Sequence, residues 1–230
     1  MKPLIVALDV ETEKEALALI RATKKFVDIY KVGPGLILRY GPSIIKKITS
    51  ARRKVFLDLK FHDIPSTVAR SVKEAAKCGV FSATVHISAG ENALRMASQA
   101  KPRPKLWGVT VLTSLSEHDL LSLGFPPSPL EQAVRLATIA KGAGIDGVVA
   151  SVGETANLRK LLGPQMTIIT PGIRLPDDSL GDQVRIATPQ HARSAGANFI
   201  VVGRPIIESD DPALFAAKMM RDWSKKDSIH

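Results

Sequence analysis

The sequence predicts a single-domain α/β protein, a closed (β/α)8 barrel of the TIM type, and three observations carry that expectation. Short runs rich in β-branched residues recur eight times, stretches of helical periodicity lie between them, and glycine or proline punctuates the junctions. Nearly continuous apolar strands alternating with helices point to a parallel sheet covered by helices. Eight such units in 230 residues fit closure into a compact barrel. A doubly wound open sheet is the alternative. No shift in composition marks a linker, so residues 1–230 read as one domain, with the tail after Trp223 expected to fray.

Strand one is expected at Leu4–Leu8, where the apolar run stops at Asp9, and a helix over Glu13–Lys25 follows. Strand two is read at Asp28–Val32. Strand three runs over Val55–Lys60 and leads to a helix over Thr67–Cys78 that Gly79 terminates. Ser82–Ile87 and Trp107–Leu112 are strands four and five, with a helix at Glu91–Ala100 between them. The cluster Pro126-Pro127-Ser128-Pro129 is a rigid approach to a helix over Leu130–Lys141, stopped by Gly142. Gly147–Ser151, Thr167–Thr170 and Phe199–Gly203 complete the strands, with helices at Glu154–Leu161 and Pro189–Ala195. The segment Arg174–Val184 is longer and more polar than the usual βα loop and reads as a mobile lid or as a plain surface insertion.

Composition narrows the function. Hydrophobic residues make up 45% and charged residues 23%, the balance of a globular chain rather than a disordered or coiled-coil one. The one cysteine, Cys78, excludes an internal disulfide and a cysteine zinc cluster and suits a reducing, cytoplasmic setting. No apolar run approaches the roughly 18 residues of a membrane span, and the first apolar stretch breaks at Asp9, unlike a signal peptide. Thirty-two Lys+Arg against 22 Asp+Glu leave a net charge of +10, which attracts anions in general: nucleic acid, acidic lipid or a phosphorylated metabolite. Aromatic residues are only 5% and no helix-turn-helix or RNP-like pattern occurs, so nucleic acid and membrane are not expected as partners.

In a barrel the chemistry sits at the C-terminal ends of the strands, so polar residues closing apolar strands are the candidates. Asp9, Lys31, Asp58, Lys60, His86, Thr113 and Arg204 occupy such positions. In Val55–Pro65, period-two geometry sends Leu57, Leu59 and Phe61 to one side and Asp58, Lys60 and His62 to the other, toward the barrel mouth. An aspartate and a lysine two residues apart in an extended strand hold each other ionised, which fits a catalytic pair or a structural ion pair plugging the barrel. Pro65 favours a helix start, and Thr67 in its first turn is suited to an anion. Gly203-Arg204 follows the last strand, where a glycine lets backbone approach a ligand and an arginine offers a planar fork for phosphate oxygens. With Pro171-Gly172-Ile173-Arg174 after strand seven, this matches where barrels bind phosphate, although a glycine turn with a solvated arginine reads the same. No Walker, GxGxxG or HExxH pattern occurs, and the five histidines lack ligand spacing, so neither a nucleotide cofactor nor a metal is required.

The run Asp58-Leu59-Lys60-Phe61-His62-Asp63-Ile64-Pro65-Ser66-Thr67 matches DxKxxDIPxT in full and resembles the signature of the orotidine 5′-phosphate decarboxylase family, in its short bacterial form. Leu8-Asp9, Tyr30-Lys31-Val32-Gly33, Leu112-Thr113-Ser114, Thr170–Arg174 and Val202–Pro205 extend the likeness in order along nearly the whole chain. The resemblance implies a homodimer of barrels that decarboxylates orotidine 5′-monophosphate to UMP without metal or organic cofactor. It implies Lys31, Asp58 and Lys60 from one subunit beside Asp63, Ile64 and Thr67 from the other. Lys60 is expected to steady the C6 carbanion and protonate it, and Asp58 to lie beside the leaving carboxylate. Asp9 and Lys31 are expected on the ribose, Thr113 and Gln183 on the pyrimidine, and Arg204, Gly203, Gln183 and Arg174 around the phosphate. Sugar-phosphate lyases and 3-keto-gulonate 6-phosphate decarboxylases carry a related DxKxxD element with Mg²⁺, but Ile64-Pro65-Ser66-Thr67 argues against them.

Overall fold

The computed structural model describes residues 1–125, 128–175 and 187–225. Eight parallel strands close into a barrel in the order β1 to β8: β1 (Leu4–Ala7), β2 (Ile29–Val32), β3 (Lys54–Phe61), β4 (Ser82–His86), β5 (Lys105–Val109), β6 (Gly147–Val149), β7 (Thr167–Thr170) and β8 (Phe199–Val202). Seven strands lie within a residue or two of their expected places, β5 starts two residues earlier and ends three earlier than expected, and the open-sheet alternative is excluded by the pairing of β1 with β8, Ile5 opposite Val201.

The outer shell holds α1 (Glu13–Thr23), α2 (Pro34–Tyr40), α3 (Ser43–Ser50), α4 (Pro65–Lys77), α5 (Glu91–Gln99), α6 (Glu117–Ser122), α7 (Pro129–Gly142), α8 (Val152–Leu162), α9 (Pro189–Ser194), α10 (Arg204–Ile207) and α11 (Pro212–Trp223). Helix starts are written locally. Thr12 and Glu15 form a reciprocal capping box on α1, with Glu15 N–H donating to Thr12 Oγ1 at 3.2 Å and Thr12 N–H to Glu15 Oε2 at 2.9 Å. Proline occupies the first or second position of α2, α4, α7, α9, α10 and α11, where its missing N–H costs no helical bond. Accordingly α4 begins at Pro65 rather than at Thr67.

Two side-chain layers follow from strand alternation. Leu4, Val6, Tyr30, Val32, Val55 and Leu57 face outward onto α1, α2, α3, α9 and α11, while Val85, Leu106, Val148 and Ile168 meet α4, α5, α7 and α8. The alternate residues Ile5, Ala7, Ile29, Phe56, Trp107, Ile169 and Val201 fill the barrel itself. Trp107 is the centre of that filling, edge-on to Phe56 at 4.5 Å and flanked by Phe81 and Phe199. The strands crowd most at Gly147, where an added Cβ would lie 2.4 Å from the Thr167 carbonyl oxygen.

The aromatic filling makes a dry floor beneath the barrel mouth. Trp107→Ala is expected to destabilise the fold by about 3–5 kcal/mol, the usual cost of emptying a buried aromatic site. Urea unfolding measures it, and a loss under about 1 kcal/mol would show that the interior collapses around the gap.

Candidate active site

A cavity of about 280 Å³ opens at the C-terminal ends of the strands. Phe56 forms part of its floor, Asp9, Lys31, Asp58 and Lys60 line one side, and Pro171, Gly172, Arg174, Gly203 and Arg204 line the other, with Thr113 between. The candidates from strands one, two, three, five, seven and eight are therefore brought together by barrel closure.

The charged side is a row of alternating sign. Lys31 Nζ donates to Asp9 Oδ1 at 3.0 Å and lies 3.6 Å from Asp58 Oδ2. Lys60 Nζ donates to the same Asp58 oxygen at 3.1 Å. Exposure grades along the row: the side chains of Asp58 and Lys31 are 12% and 14% exposed, those of Lys60 and Asp9 39% and 52%. The central pair is thus withdrawn from solvent with an oppositely charged neighbour on each side, while the outer members face the opening.

Backbone geometry places Lys60. Leu57 pairs with Ala83 and Phe61 with Val85, so four residue steps on β3 answer two on β4. Such an irregularity re-aims side chains beside active sites. Within it Lys60 takes φ +47°, a left-handed conformation costing a non-glycine residue on the order of 1–3 kcal/mol. Its N–H donates to Thr84 Oγ1 at 2.8 Å, and the Thr84 hydroxyl donates to Asp58 Oδ1 at 3.0 Å. Thr84 is not among the sequence candidates, because it lies inside β4 and is uncharged, whereas those candidates are polar residues at strand ends. The polar residue at every second position of β4, Ser82, Thr84 and His86, was the available signal.

His62 departs from its expected position. It does not line the cavity but is exposed, and its ring stacks on His86 at 5.2 Å, because β3 ends at Phe61 after the turn of backbone at Lys60. His86 Nδ1 lies 2.6 Å from Ser88 Oγ. Burial, with lesser contributions from the charges of His62 and Lys60, pushes the His86 imidazole below the ordinary histidine range.

Asp63, Ile64 and Thr67 are outside the cavity lining of their own chain. They sit where β3 passes into α4, with Asp63 accepting from the Ile64 N–H at 2.6 Å and the Ile64 side chain 65% exposed. Gly203 lies against β1, and a Cβ there would meet Ala7 Cβ at 3.4 Å and Asp9 Oδ2 at 3.5 Å. Arg174 is buried and donates to the Ile173 carbonyl at 3.0 Å. The segment read as a lid is bounded by a parallel bridge, Ile173 opposite Ala187. Residues 176–186, and Gln183 with them, lie outside the described residues.

Comparison with known proteins places the chain in a family and agrees with its fold. A model of the orotidine 5′-phosphate decarboxylase / HUMPS family matches residues 2–219. Orotidine 5′-phosphate decarboxylase of Actinobacillus succinogenes is 45% identical over 218 residues, covering 91% of this chain and 93% of that one. The enzyme of the same name from Vibrio campbellii is 42% identical over 214 residues, covering 91% and 92%. Among solved structures, orotidine 5′-phosphate decarboxylase from Lactobacillus acidophilus superposes with a TM-score of 0.84 at 35% identity, covering 98% of this chain and all of that one.

The lowered His86 pKa sets a sign for stability against pH. The unfolded chain binds more protons at this residue than the folded one, so the stability is present above about pH 6.5 and is lost as pH falls through that value toward the folded pKa. His86→Gln is therefore expected to lose less stability than the parent between pH 7.5 and 5.5 in urea titrations. An equal loss in both proteins would remove His86 as the cause.

Proposed function

Since the chain belongs to the orotidine 5′-phosphate decarboxylase family and converts orotidine 5′-monophosphate to UMP, a carboxy-lyase step of pyrimidine biosynthesis, we propose that the row Asp9, Lys31, Asp58 and Lys60 is the machinery that performs it. The observation that carries this reading is the shared Asp58 oxygen, 3.1 Å from Lys60 Nζ and 3.6 Å from Lys31 Nζ above an apolar floor.

The C6–carboxylate bond breaks heterolytically, CO₂ departs and the electron pair stays on C6 in an sp² orbital that the ring does not delocalise. A cation held beside C6 stabilises that charge, and a preorganised group in a water-poor site does so without reorganising. Lys60 is that cation, and its ammonium then gives a proton to C6 to yield UMP. Asp58 lies beside the departing carboxylate and orients Lys60 and Lys31 through its shared oxygen. Lys31 is positioned by both aspartates, and with Asp9 it takes the ribose hydroxyls.

The phosphate goes to the opposite side of the cavity, on Arg204 and the Gly203 amide, with Arg174 beside them and Thr113 on the pyrimidine edge. Gln183 is assigned to the pyrimidine and phosphate on the resemblance alone. Binding the phosphate far from C6 lets remote binding energy lower the barrier at the reacting carbon. No cofactor is assigned, since the protein's own ammonium supplies the cation and the proton. The exposed Asp63 and Ile64, with Thr67, reach the site of a second copy, which makes the working unit a homodimer with shared sites. No helix among the described residues is long and apolar enough to cross a membrane, and with one cysteine the enzyme is assigned to the cytoplasm, which cell fractionation checks.

Lys60→Ala is expected to bind UMP yet lose about 10⁴- to 10⁷-fold in turnover, the combined size of a general-acid and an electrostatic contribution. Asp63→Ala is expected to be similarly impaired. Mixing the two variants under conditions of subunit exchange is expected to restore roughly a quarter of parental activity, because half of the dimers are mixed and each carries one intact site. Near-normal turnover of Lys60→Ala would remove its role, and failure of the mixture to recover would remove the shared site.

Arg204→Ala is expected to lower kcat/KM by about 10²- to 10³-fold, the worth of two charge-assisted hydrogen bonds at roughly 1.5–2 kcal/mol each. Added phosphite dianion is expected to restore part of it, and unchanged kinetics would overturn the phosphate assignment.

A further inference from the structure

We infer that Thr84 is a positioning residue for the decarboxylation, fixing Lys60 and Asp58 relative to each other through one hydroxyl group; the inference rests on the reading of Lys60 as proton donor. The Thr84 side chain lies inside the barrel on β4 and the residue is 1% exposed. Its oxygen accepts the Lys60 N–H at 2.8 Å and its proton goes to Asp58 Oδ1 at 3.0 Å, which uses a hydroxyl's donor and one of its acceptor positions in opposite senses. The other Asp58 oxygen receives Lys60 Nζ at 3.1 Å.

These three bonds close a ring. It starts at the Lys60 backbone, crosses the Thr84 hydroxyl to the Asp58 carboxylate and returns to the tip of the Lys60 side chain. Both ends of Lys60 are thereby tied to the same carboxylate, and Asp58 cannot rotate without giving up bonds at both oxygens. The ring also spans the stretch where the β3–β4 ladder is irregular, between the pairs Leu57 with Ala83 and Phe61 with Val85. There the Lys60 N–H, carried by a residue at φ +47°, takes a side-chain acceptor. Without the hydroxyl, a buried carboxylate oxygen and an N–H lose their partner together, and the lysine has less to hold it in the left-handed conformation. Transfer of a proton to C6 requires the ammonium at reacting distance, and a displacement of about 1 Å costs on the order of 10²-fold in rate.

The test compares Thr84→Val, which keeps the branched shape without the hydroxyl, with Thr84→Ser, which keeps the hydroxyl. Thr84→Val is expected to lower kcat by about 10- to 100-fold with KM for orotidine 5′-monophosphate within about threefold of the parent, as misplacement of the reacting group predicts. Thr84→Ser is expected to bring kcat back to within about threefold. A folded valine variant with unchanged kcat, a change confined to KM, or a serine variant no better than valine overturns the inference. If valine does not fold, Thr84→Ala takes its place; loss of fold in both, judged by circular dichroism, assigns Thr84 to stability and also overturns it. Lys60→Ala is assayed alongside. Normal turnover there removes the underlying reading, whereas an inactive Lys60→Ala beside a fully active Thr84→Val removes the role of Thr84 alone.

Discussion

Opposite charges alternating at contact distance across β1, β2 and β3 are the constraint on which the rest of this barrel depends. Asp58 and Lys31 are nearly withdrawn from water, so each would be expensive alone, and each is tolerated because the next group has the opposite sign. Lys31 reaches both Asp9 and Asp58, and Asp58 reaches both lysines. Removing Asp58 would leave Lys31 with Asp9 alone, and removing Lys31 would leave Asp58 with Lys60 alone. The same tension makes the row chemically useful: Lys31 is already largely withdrawn from water, and both lysines are tied to Asp58.

The apolar floor gives the row its strength. Phe56 both lines the cavity and packs edge-on to Trp107, joining the reacting end of the barrel to its dry interior. Charges above such a floor act on a bound ligand through little intervening water. The side proposed for the phosphate, built from the segments after β7 and β8, lies across the same opening. A ligand long enough to touch both sides is therefore positioned at two separated points, and energy gained at the far one can be spent at the near one.

Much of this was legible along the chain. Apolar runs located all eight strands, and alternation in β3 correctly sent Leu57 outward and Asp58 and Lys60 into the mouth. The short helices α2, α3 and α6 were not foreseen. α2 has seven residues with Gly35 inside it, and α6 has six, too few for a helical period to stand out. α10 and α11 were also missed, although Asp211 caps α11 and Pro212 opens it. His62 was assigned to the mouth by extending the period of β3 one step too far, past the point where the backbone changes direction.

The sequence by itself determined which charges exist, which face of each strand they occupy and that they fall at the catalytic end, because side-chain direction in a strand follows from parity along one segment. Only the tertiary structure decided that Asp9, Lys31, Asp58 and Lys60 meet in one row, that Lys60 adopts φ +47° and that Thr84 stands between it and Asp58. Those facts depend on register between strands, and register is set by barrel closure and by the two extra steps of β3 against β4, neither of which any local pattern of residues encodes.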